Sequence, residues 1–349
     1  MILDFPLSLP VNIAIFLLST AVVWIAGTRL VIYGDKLSDH FTLSHAFIGL
    51  VFLATITELP EIVTTLTAAI AGNAQLALGN MFGGITMQTA ILAVVDVIFV
   101  RYALTNWPRK PTHALEAVLL VILLNIILAV VFLGEYELFW SVGLGALLLA
   151  MLYPPFIALL GRYDEHSPWL PVDLPQSDEH TNRLISSKPL QGMSTSTLIS
   201  RAGFISLLIL MAGYITANRA EVIAEQSGLG SSFIGVAFLA ASTSMPELST
   251  TIAAARMGAY TMAISNIFGS NLIMVALILP ADIAYRPGPI LAAADKVAQF
   301  SIVTGILVTA IYIAGILVRR TPRLFGAGID SLLVLVVYIF GLVAAYHLS

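Results

Sequence analysis

The sequence predicts an all-α polytopic membrane protein whose ten transmembrane helices form two inverted five-helix repeats. Of its 349 residues, 58% are hydrophobic and only 10% are charged, whereas a soluble domain carries about 25% charged residues. Ten apolar runs each reach the roughly 20 residues that a helix needs to cross a bilayer. A long segment of the first half also recurs in the second half.

The recurrence is visible at an offset of 186 positions. Pro60-Glu61 recurs as Pro246-Glu247, and Asn80 recurs as Asn266. From residue 47 to residue 83 the two copies align without a gap, and 18 of the 37 positions are identical. Internal repeats of this kind are typical of transporters whose binding site lies at the repeat interface, near the bilayer midplane.

The apolar runs lie at approximately 11–33, 45–71, 75–100, 114–133, 137–160, 199–223, 231–256, 259–284, 296–318 and 329–347. The second, third, seventh and eighth runs contain the repeated segment and are richer in Gly, Ser, Thr and Asn than the others. Small and polar residues let transmembrane helices approach closely and bond to one another. These four helices are therefore expected to line a polar path.

The domain organisation follows from a change of composition after the fifth run. Residues 162–197 are rich in proline and acidic residues, as expected of a linker. This predicts a first half over 1–161, with its repeated segment at 47–90. The second half covers 198–349, with its repeated segment at 233–276.

The distribution of lysine and arginine predicts the orientation. With the N-terminus outside, 13 of the 16 basic residues are cytoplasmic and 3 are external, in agreement with the positive-inside rule. Both termini are then external, and the linker is cytoplasmic. Because each half holds an odd number of helices, the halves have opposite polarity, which suits alternating access in a multi-pass protein of the plasma (inner) membrane.

The composition excludes several function classes. The chain has no cysteine, which removes disulfides and thiolate metal sites. It also lacks phosphate-binding and dinucleotide-binding glycine motifs, so neither enzyme chemistry nor an organic cofactor is expected. The net charge of −4 argues against nucleic acid. The expected partners are inorganic cations and the lipid bilayer, with no obligatory protein partner and a monomer as the working form.

The Pro-Glu pairs carry the predicted chemistry. A carboxylate in hydrocarbon is costly, so Glu61 and Glu247 are candidates for a functional site. Proline has no N–H to donate and distorts the preceding turn, so Pro60 and Pro246 should free backbone carbonyls near Ala54–Thr57 and Ala240–Thr243. Carbonyl, hydroxyl and carboxylate oxygens together suit hard cations such as Ca²⁺, Na⁺ or Mg²⁺.

The two segments resemble the α-1 and α-2 repeats of the cation/Ca²⁺ antiporter superfamily, which includes the Na⁺/Ca²⁺ exchangers. The family pattern is Gly-Thr-Ser-x-Pro-Glu followed by Gly-Asn-x-x-Gly-Ser-Asn, and the second copy here, over 242–247 and 265–271, is close to it. The resemblance implies that Glu61 and Glu247 bind Ca²⁺ centrally. It further implies carbonyl ligands at Thr57, Thr243, Ala54 and Ala240, and Na⁺-binding hydroxyls at Ser244 and Ser270.

The first copy departs from this pattern. Glu58 and Gly84 replace two serines, Gln88 replaces the final Asn, and in the second copy Met274 replaces an acid or amide. Compared with the family, one flanking Na⁺ position therefore lacks both hydroxyls, which resembles the H⁺-coupled branches. Glu58 shares a helix face with Glu61; it is either a third carboxylate useful for proton exchange or a solvated vestibule residue.

Two further candidate ligands have alternative roles. Asn80 and Asn266 either bind ions or hydrogen-bond the broken helix beside them. The function expected from the whole pattern is secondary active exchange of a divalent cation, with Ca²⁺ the first candidate, for Na⁺ or H⁺. The alternatives are a passive cation channel and an H⁺-coupled exchanger of another divalent cation such as Mg²⁺.

The orientation can be tested on a Ser177→Cys variant, since the chain has no other cysteine. A membrane-impermeant thiol reagent added to intact cells should leave this cysteine unlabelled, and should label it after the cells are opened, because the linker is predicted to be cytoplasmic. Labelling from outside intact cells would contradict the predicted topology.

Overall fold

The computed structural model describes residues 7–41, 46, 48–100, 102–108, 110–138, 140–165, 193–226, 240–319, 322–324 and 326–348. In the first half, a π-helical turn at Ile48–Leu53 accompanies the α-helices. These are α1 (Leu9–Phe41), α2 (Ala54–Thr57), α3 (Leu59–Ile70), α4 (Ala74–Phe99), α5 (Thr112–Leu133) and α6 (Leu144–Glu165). The second half holds α7 (Thr195–Gln226), α8 (Met245–Arg256), α9 (Tyr260–Ala276), α10 (Ile278–Ala284), α11 (Lys296–Val318) and α12 (Ile329–Leu348).

The described residues confirm an all-helical protein with many membrane-crossing helices. Eight helices in this part of the chain are long and apolar enough to span a bilayer, and the bent pair Ile48–Thr57 and Leu59–Ile70 makes up to nine. Residues 227–239, which include the start of the seventh predicted run at 231–239, lie outside the described residues, as do residues 166–192 of the predicted linker. The count of ten helices therefore stays a prediction.

Helices α4 and α9 form the centre of the structure. Along the most apolar 18 residues of α4, 67% of the residues are buried, and 83% are buried along the corresponding stretch of α9 and α10. Outer helices instead expose large apolar side chains, for example Leu17, Phe132 and Phe340, as expected of lipid-facing surfaces. The two helices that end the repeated segments are therefore the ones most enclosed by protein.

Helices α1 and α7 pack along each other and cover the helix breaks. The hydroxyl of Thr216 donates to the Ser19 hydroxyl between them at 2.8 Å. Gly213 of α7 lies against Pro60, where an added Cβ would come within 2.5 Å of the proline ring. Gly27, which precedes Gly213 by the repeat offset, lies against Ser249 of α8. The long helices thus contact the Pro-Glu elements of opposite halves.

The repeat extends beyond the aligned segment to two buried aspartates. Asp96 accepts a hydrogen bond from the backbone N–H of Leu104 at 2.6 Å, and Asp282 accepts one from Ile290, also at 2.6 Å. Both aspartates and both partners are separated by the 186-residue offset. The second oxygen of Asp96 accepts from Gly328, and that of Asp282 accepts from Gly143 at 2.7 Å.

Each aspartate therefore binds the loop that follows its own helix to the start of a helix in the opposite half. Gly328 directly precedes α12, in the short antiparallel pair Arg323–Leu324 and Ala327–Gly328. Gly143 directly precedes α6. Because buried backbone N–H groups need acceptors, these carboxylates are structural caps rather than free ligands.

The π-helical turn packs against the backbone of α9 at two glycines. A Cβ at Gly269 would lie 2.5 Å from the Leu50 carbonyl oxygen and 2.9 Å from the Ala54 Cβ. A Cβ at Gly49 would lie 2.6 Å from the Met262 carbonyl oxygen. The contacts are to backbone, which cannot turn away as a flexible side chain can, so the two elements are held at a distance that only glycine permits.

Asp282→Ala should lower the midpoint of thermal unfolding in detergent. It removes the acceptor of two buried N–H groups, at about 1–3 kcal/mol for each. Asp295→Ala is the matched control, because Asp295 accepts a single bond from Ala298 as the N-cap of α11, a loss of about 1 kcal/mol. An equal or smaller shift for Asp282→Ala than for the control would rule out the structural role.

Gly269→Ala should destabilise the protein by about 1–3 kcal/mol, because an overpacked contact forces the backbone apart. Gly203→Ala in α7 is the control, since nothing lies within 4 Å of the added Cβ. Alanine favours helix over glycine, so the control should keep or raise the unfolding midpoint. Equal midpoints for the two variants would contradict the close approach.

Candidate cation-binding site

The first half contains a helix break at Glu58. The π-helical turn and α2 run up to Thr57, and the chain then bends by 49° before α3 begins. Pro60 lies in the first turn of α3, where it has no N–H to bond the preceding turn. Glu61 follows in the same turn, so the break places its carboxylate at the newly formed helix N-terminus.

The second half has a matching break at Ser244. Residues 240–243 are helical, Ser244 interrupts them, and α8 begins at Met245 with Pro246 and Glu247 in its first turn. Both halves therefore contain the predicted distortion near the proline. The helix breaks at Glu58 and at Ser244, directly after the turns 54–57 and 240–243 where the distortion is predicted.

The two breaks meet and build one site from both halves. Glu61 and Glu247 are fully buried. Thr243 of the second half faces Glu61, and Thr57 of the first half faces Glu247. The Ser244 hydroxyl donates to Oε1 of Glu61 at 3.3 Å. The candidate ligands predicted from opposite repeats therefore come together, as a site at a repeat interface requires.

Three glutamates, Glu58, Glu61 and Glu247, are fully buried at the site. Within the described part of the chain, no Lys, Arg or His forms an ion pair with any of them. Four of their six carboxylate oxygens accept no hydrogen bond: Glu58 Oε2, Glu61 Oε2 and both oxygens of Glu247. A buried charge of this kind needs a counter-charge, which a bound cation or a proton can supply.

The amides of Asn80 and Asn266 occupy equivalent positions. The Asn80 amide donates to the Thr65 hydroxyl at 3.0 Å, and the Asn266 amide donates to the Thr250 hydroxyl at 3.1 Å. Their Oδ1 atoms are buried and have no partner. The amide nitrogens thus bond side chains of the neighbouring helix, and the amide oxygens remain available to a cation.

The carbonyls of Ala54 and Ala240 are already engaged in hydrogen bonds. The Ala54 oxygen accepts from the Glu58 N–H at 3.0 Å and from the Thr57 hydroxyl at 3.3 Å. The Ala240 oxygen accepts in the same way from Ser244 and Thr243. A carbonyl oxygen has two lone pairs, so a cation would have to share these two oxygens. Their role as ligands stays a prediction.

Glu58 is fully buried, so the interpretation of Glu58 as a solvated vestibule residue is wrong. The Gln88 amide donates to Oε1 of Glu58 at 2.5 Å. Ser270, from the second half, faces the Glu58 carboxylate. Glu58 and Gln88, two of the residues that depart from the family pattern, are therefore joined by a hydrogen bond.

The other two departures also lie together. A Cβ at Gly84 would lie 2.9 Å from the terminal methyl carbon of Met274, which is fully buried. The expectation that Glu58 and Gly84 remove both hydroxyls from a single flanking position is therefore wrong. Ser270 lies beside Glu58 instead, so Glu58 and Gly84 each neighbour a residue of the opposite half.

Asn271 is a polar residue of the site that was not among the predicted ligands. Its amide donates to the Thr89 hydroxyl at 3.2 Å, and its Oδ1 is buried without a partner. The signal was present in the sequence, since Asn271 ends the Gly-Ser-Asn part of the second copy. In the first copy this position is Ile85, so the repeat itself gives no support for it.

The donor set of the candidate site is mixed. Among the described residues, no group of three or more His, Cys, Asp or Glu side chains converges closely enough to hold a metal ion. Binding would instead combine carboxylates with hydroxyl, amide and backbone oxygens. Such a set suits hard cations and excludes soft ones, which prefer sulfur ligands.

Comparisons with known proteins agree with this architecture. The family model described as sodium/calcium exchanger protein matches residues 11–159 and 198–347. The inner membrane protein YrbG of Escherichia coli is 26% identical over 320 residues, which is 92% of each chain. The putative antiporter CaxA of Alkalimonas amylolytica is 26% identical over 284 residues, covering 80% of this chain and 83% of that one.

The fold is also that of a solved exchanger. A structure of the sodium-calcium exchanger NCX_Mj, soaked with 10 mM Na⁺ and zero Ca²⁺, matches with a TM-score of 0.69 at 16% identity. The match covers 97% of this chain and 99% of that chain. Because the family model matches most of both halves, this chain belongs to the sodium/calcium exchanger protein family, and so to the cation/Ca²⁺ antiporter superfamily.

Proposed function

We propose that this protein is a secondary active antiporter that exchanges Ca²⁺ for Na⁺ or H⁺ by alternating access. The observation that carries the proposal is the pair of buried glutamates, Glu61 and Glu247, each at a helix break and each without a basic partner among the described residues. Because they come from repeat-related positions, the charge at the site is contributed by both halves.

The chemistry of the site accounts for both selectivity and coupling. Ca²⁺ takes six to eight oxygen ligands, and at least one carboxylate is common among them. Glu61 and Glu247 supply charged oxygens, while Asn80 and Asn266 add neutral ones. A second cation that uses the same glutamates cannot bind at the same time as Ca²⁺. Mutual exclusion at a shared site is what couples the two fluxes.

The relatives support exchange as the reaction class. CaxA is named a putative antiporter, and NCX_Mj is named a sodium-calcium exchanger. The sequences are distant, so they support the class of reaction more than the identity of the ions. Mg²⁺ as cargo and a passive cation channel are the alternatives that transport measurements must exclude.

For the topology, we propose ten spans in two halves of opposite polarity, with both termini external and the monomer as the working form. The basic residues support this orientation, since 13 of 16 fall on one side. The two aspartate caps support the repeat, because Asp96 and Asp282 make the same bonds at the same spacing.

Glu61→Gln and Glu247→Gln should each abolish ⁴⁵Ca²⁺ exchange in proteoliposomes, because a neutral amide cannot replace a charged oxygen for a divalent cation that has lost its water. Glu137→Gln is the matched control, since Glu137 lies exposed in the loop before α6. Its exchange should stay within about twofold of the unmodified protein, as surface substitutions are usually close to neutral.

The assay must be accompanied by evidence of folding. Each variant should reach the membrane and elute as a single species in detergent. Near-normal exchange by either Glu61→Gln or Glu247→Gln under these conditions would remove the assignment of the central site.

A further inference from the structure

The repeat relates two sets of three residues beside the central glutamates. The polar triad is Glu58, Gln88 and Ser270. At the offset of 186 positions, its counterparts are Ser244, Met274 and Gly84, here called the closed triad. Each triad takes residues from both halves. The two are equivalent by position but differ completely in chemistry.

The polar triad contains buried oxygens that lack a hydrogen-bond partner. Oε2 of Glu58 and Oε1 of Gln88 are buried and accept no hydrogen bond, and the buried Ser270 hydroxyl faces the Glu58 carboxylate. The three residues are fully enclosed by protein. Buried polar atoms normally have partners, so the unpartnered oxygens of the adjacent side chains Glu58 and Gln88 indicate a ligand that the protein itself does not supply.

The closed triad has no side-chain oxygen without a hydrogen bond. The methyl end of Met274 occupies the volume that a side chain at position 84 would fill, 2.9 Å from the Cβ position of Gly84. Met274 and its neighbours Leu272 and Val275 belong to the main hydrophobic core. The remaining hydroxyl, that of Ser244, is turned towards Glu61 at 3.3 Å. A thioether is a poor ligand for hard cations.

From this contrast, and on the basis of the proposed exchange function, we propose that only one of the two flanking cation positions is open. The polar triad holds one Na⁺ as the counter-cation, and Met274 packed on Gly84 closes the other position. Three oxygen donors, one of them charged, match a hard monovalent cation. The number of counter-cations per Ca²⁺ is then set by the Met274–Gly84 contact.

The first test opens the closed triad. The double variant Gly84→Ser/Met274→Gln gives it the amide and hydroxyl that the polar triad has. Its exchange should carry one more Na⁺ per Ca²⁺, measured as the shift in reversal potential of ⁴⁵Ca²⁺ flux in proteoliposomes with fixed Na⁺ gradients. Met274→Leu is the control, because leucine keeps an apolar side chain of similar volume there. Its stoichiometry should equal that of the unmodified protein.

The second test closes the polar triad. Gln88→Met/Ser270→Gly places a second methionine–glycine pair in the polar triad. Na⁺-driven Ca²⁺ uptake should fall more strongly than Ca²⁺-for-Ca²⁺ exchange measured in the same vesicles, because the central glutamates remain. A general loss of folding would lower both fluxes together and would not change the ratio of Na⁺-driven uptake to Ca²⁺-for-Ca²⁺ exchange. The ratio therefore tests Na⁺ binding at the polar triad even if the first double variant does not fold.

The outcomes separate this inference from the proposed function. Absence of any gradient-driven Ca²⁺ exchange in the unmodified protein would overturn the proposed function. Exchange with the same stoichiometry in Gly84→Ser/Met274→Gln as in Met274→Leu would overturn only the closure by Met274. Exchange that responds to a pH gradient but not to Na⁺ would overturn Na⁺ as the occupant of the polar triad.

Discussion

The burial of Glu61 and Glu247 without a basic partner is the constraint on which the rest of the structure depends. Removing a carboxylate from water costs several kcal/mol even after relaxation, and the described residues supply hydroxyl and amide groups rather than positive charge. The part of the chain that the structure describes therefore provides no counter-charge for these glutamates, and a cation or a proton can provide it. The proposed cation selectivity and the proposed coupling both rest on this missing counter-charge.

The scaffold keeps these carboxylates in place by interlocking its two halves. Gly269 lets α9 approach the π-helical turn that leads to the first break. At each end of the central helices an aspartate, Asp96 or Asp282, bonds backbone N–H groups from both halves. Rigid surroundings of this kind prevent local collapse around the unpartnered oxygens.

The sequence predicts the coarse fold because run length and composition are properties of each segment alone. The aspartate caps extend the repeat to residue 290, but a single acid near a helix end does not reveal which loop it will bond. The flanking positions were misassigned for a related reason: Glu58 and Gly84 lie in one half, yet their neighbours Ser270 and Met274 lie in the other. Pairing across halves depends on tertiary contacts, which a repeat within the sequence does not specify.

Accumulation of ⁴⁵Ca²⁺ by proteoliposomes of the unmodified protein tests the central claim most directly. Vesicles are loaded with Na⁺, or with acid in a parallel series, and diluted into Ca²⁺ without that counter-cation while the membrane potential is clamped. An antiporter with a shared site should raise internal Ca²⁺ above the external concentration for as long as the opposing gradient lasts. Uptake that stops at equal concentrations, whatever gradient is imposed, would identify a passive pathway and contradict the account.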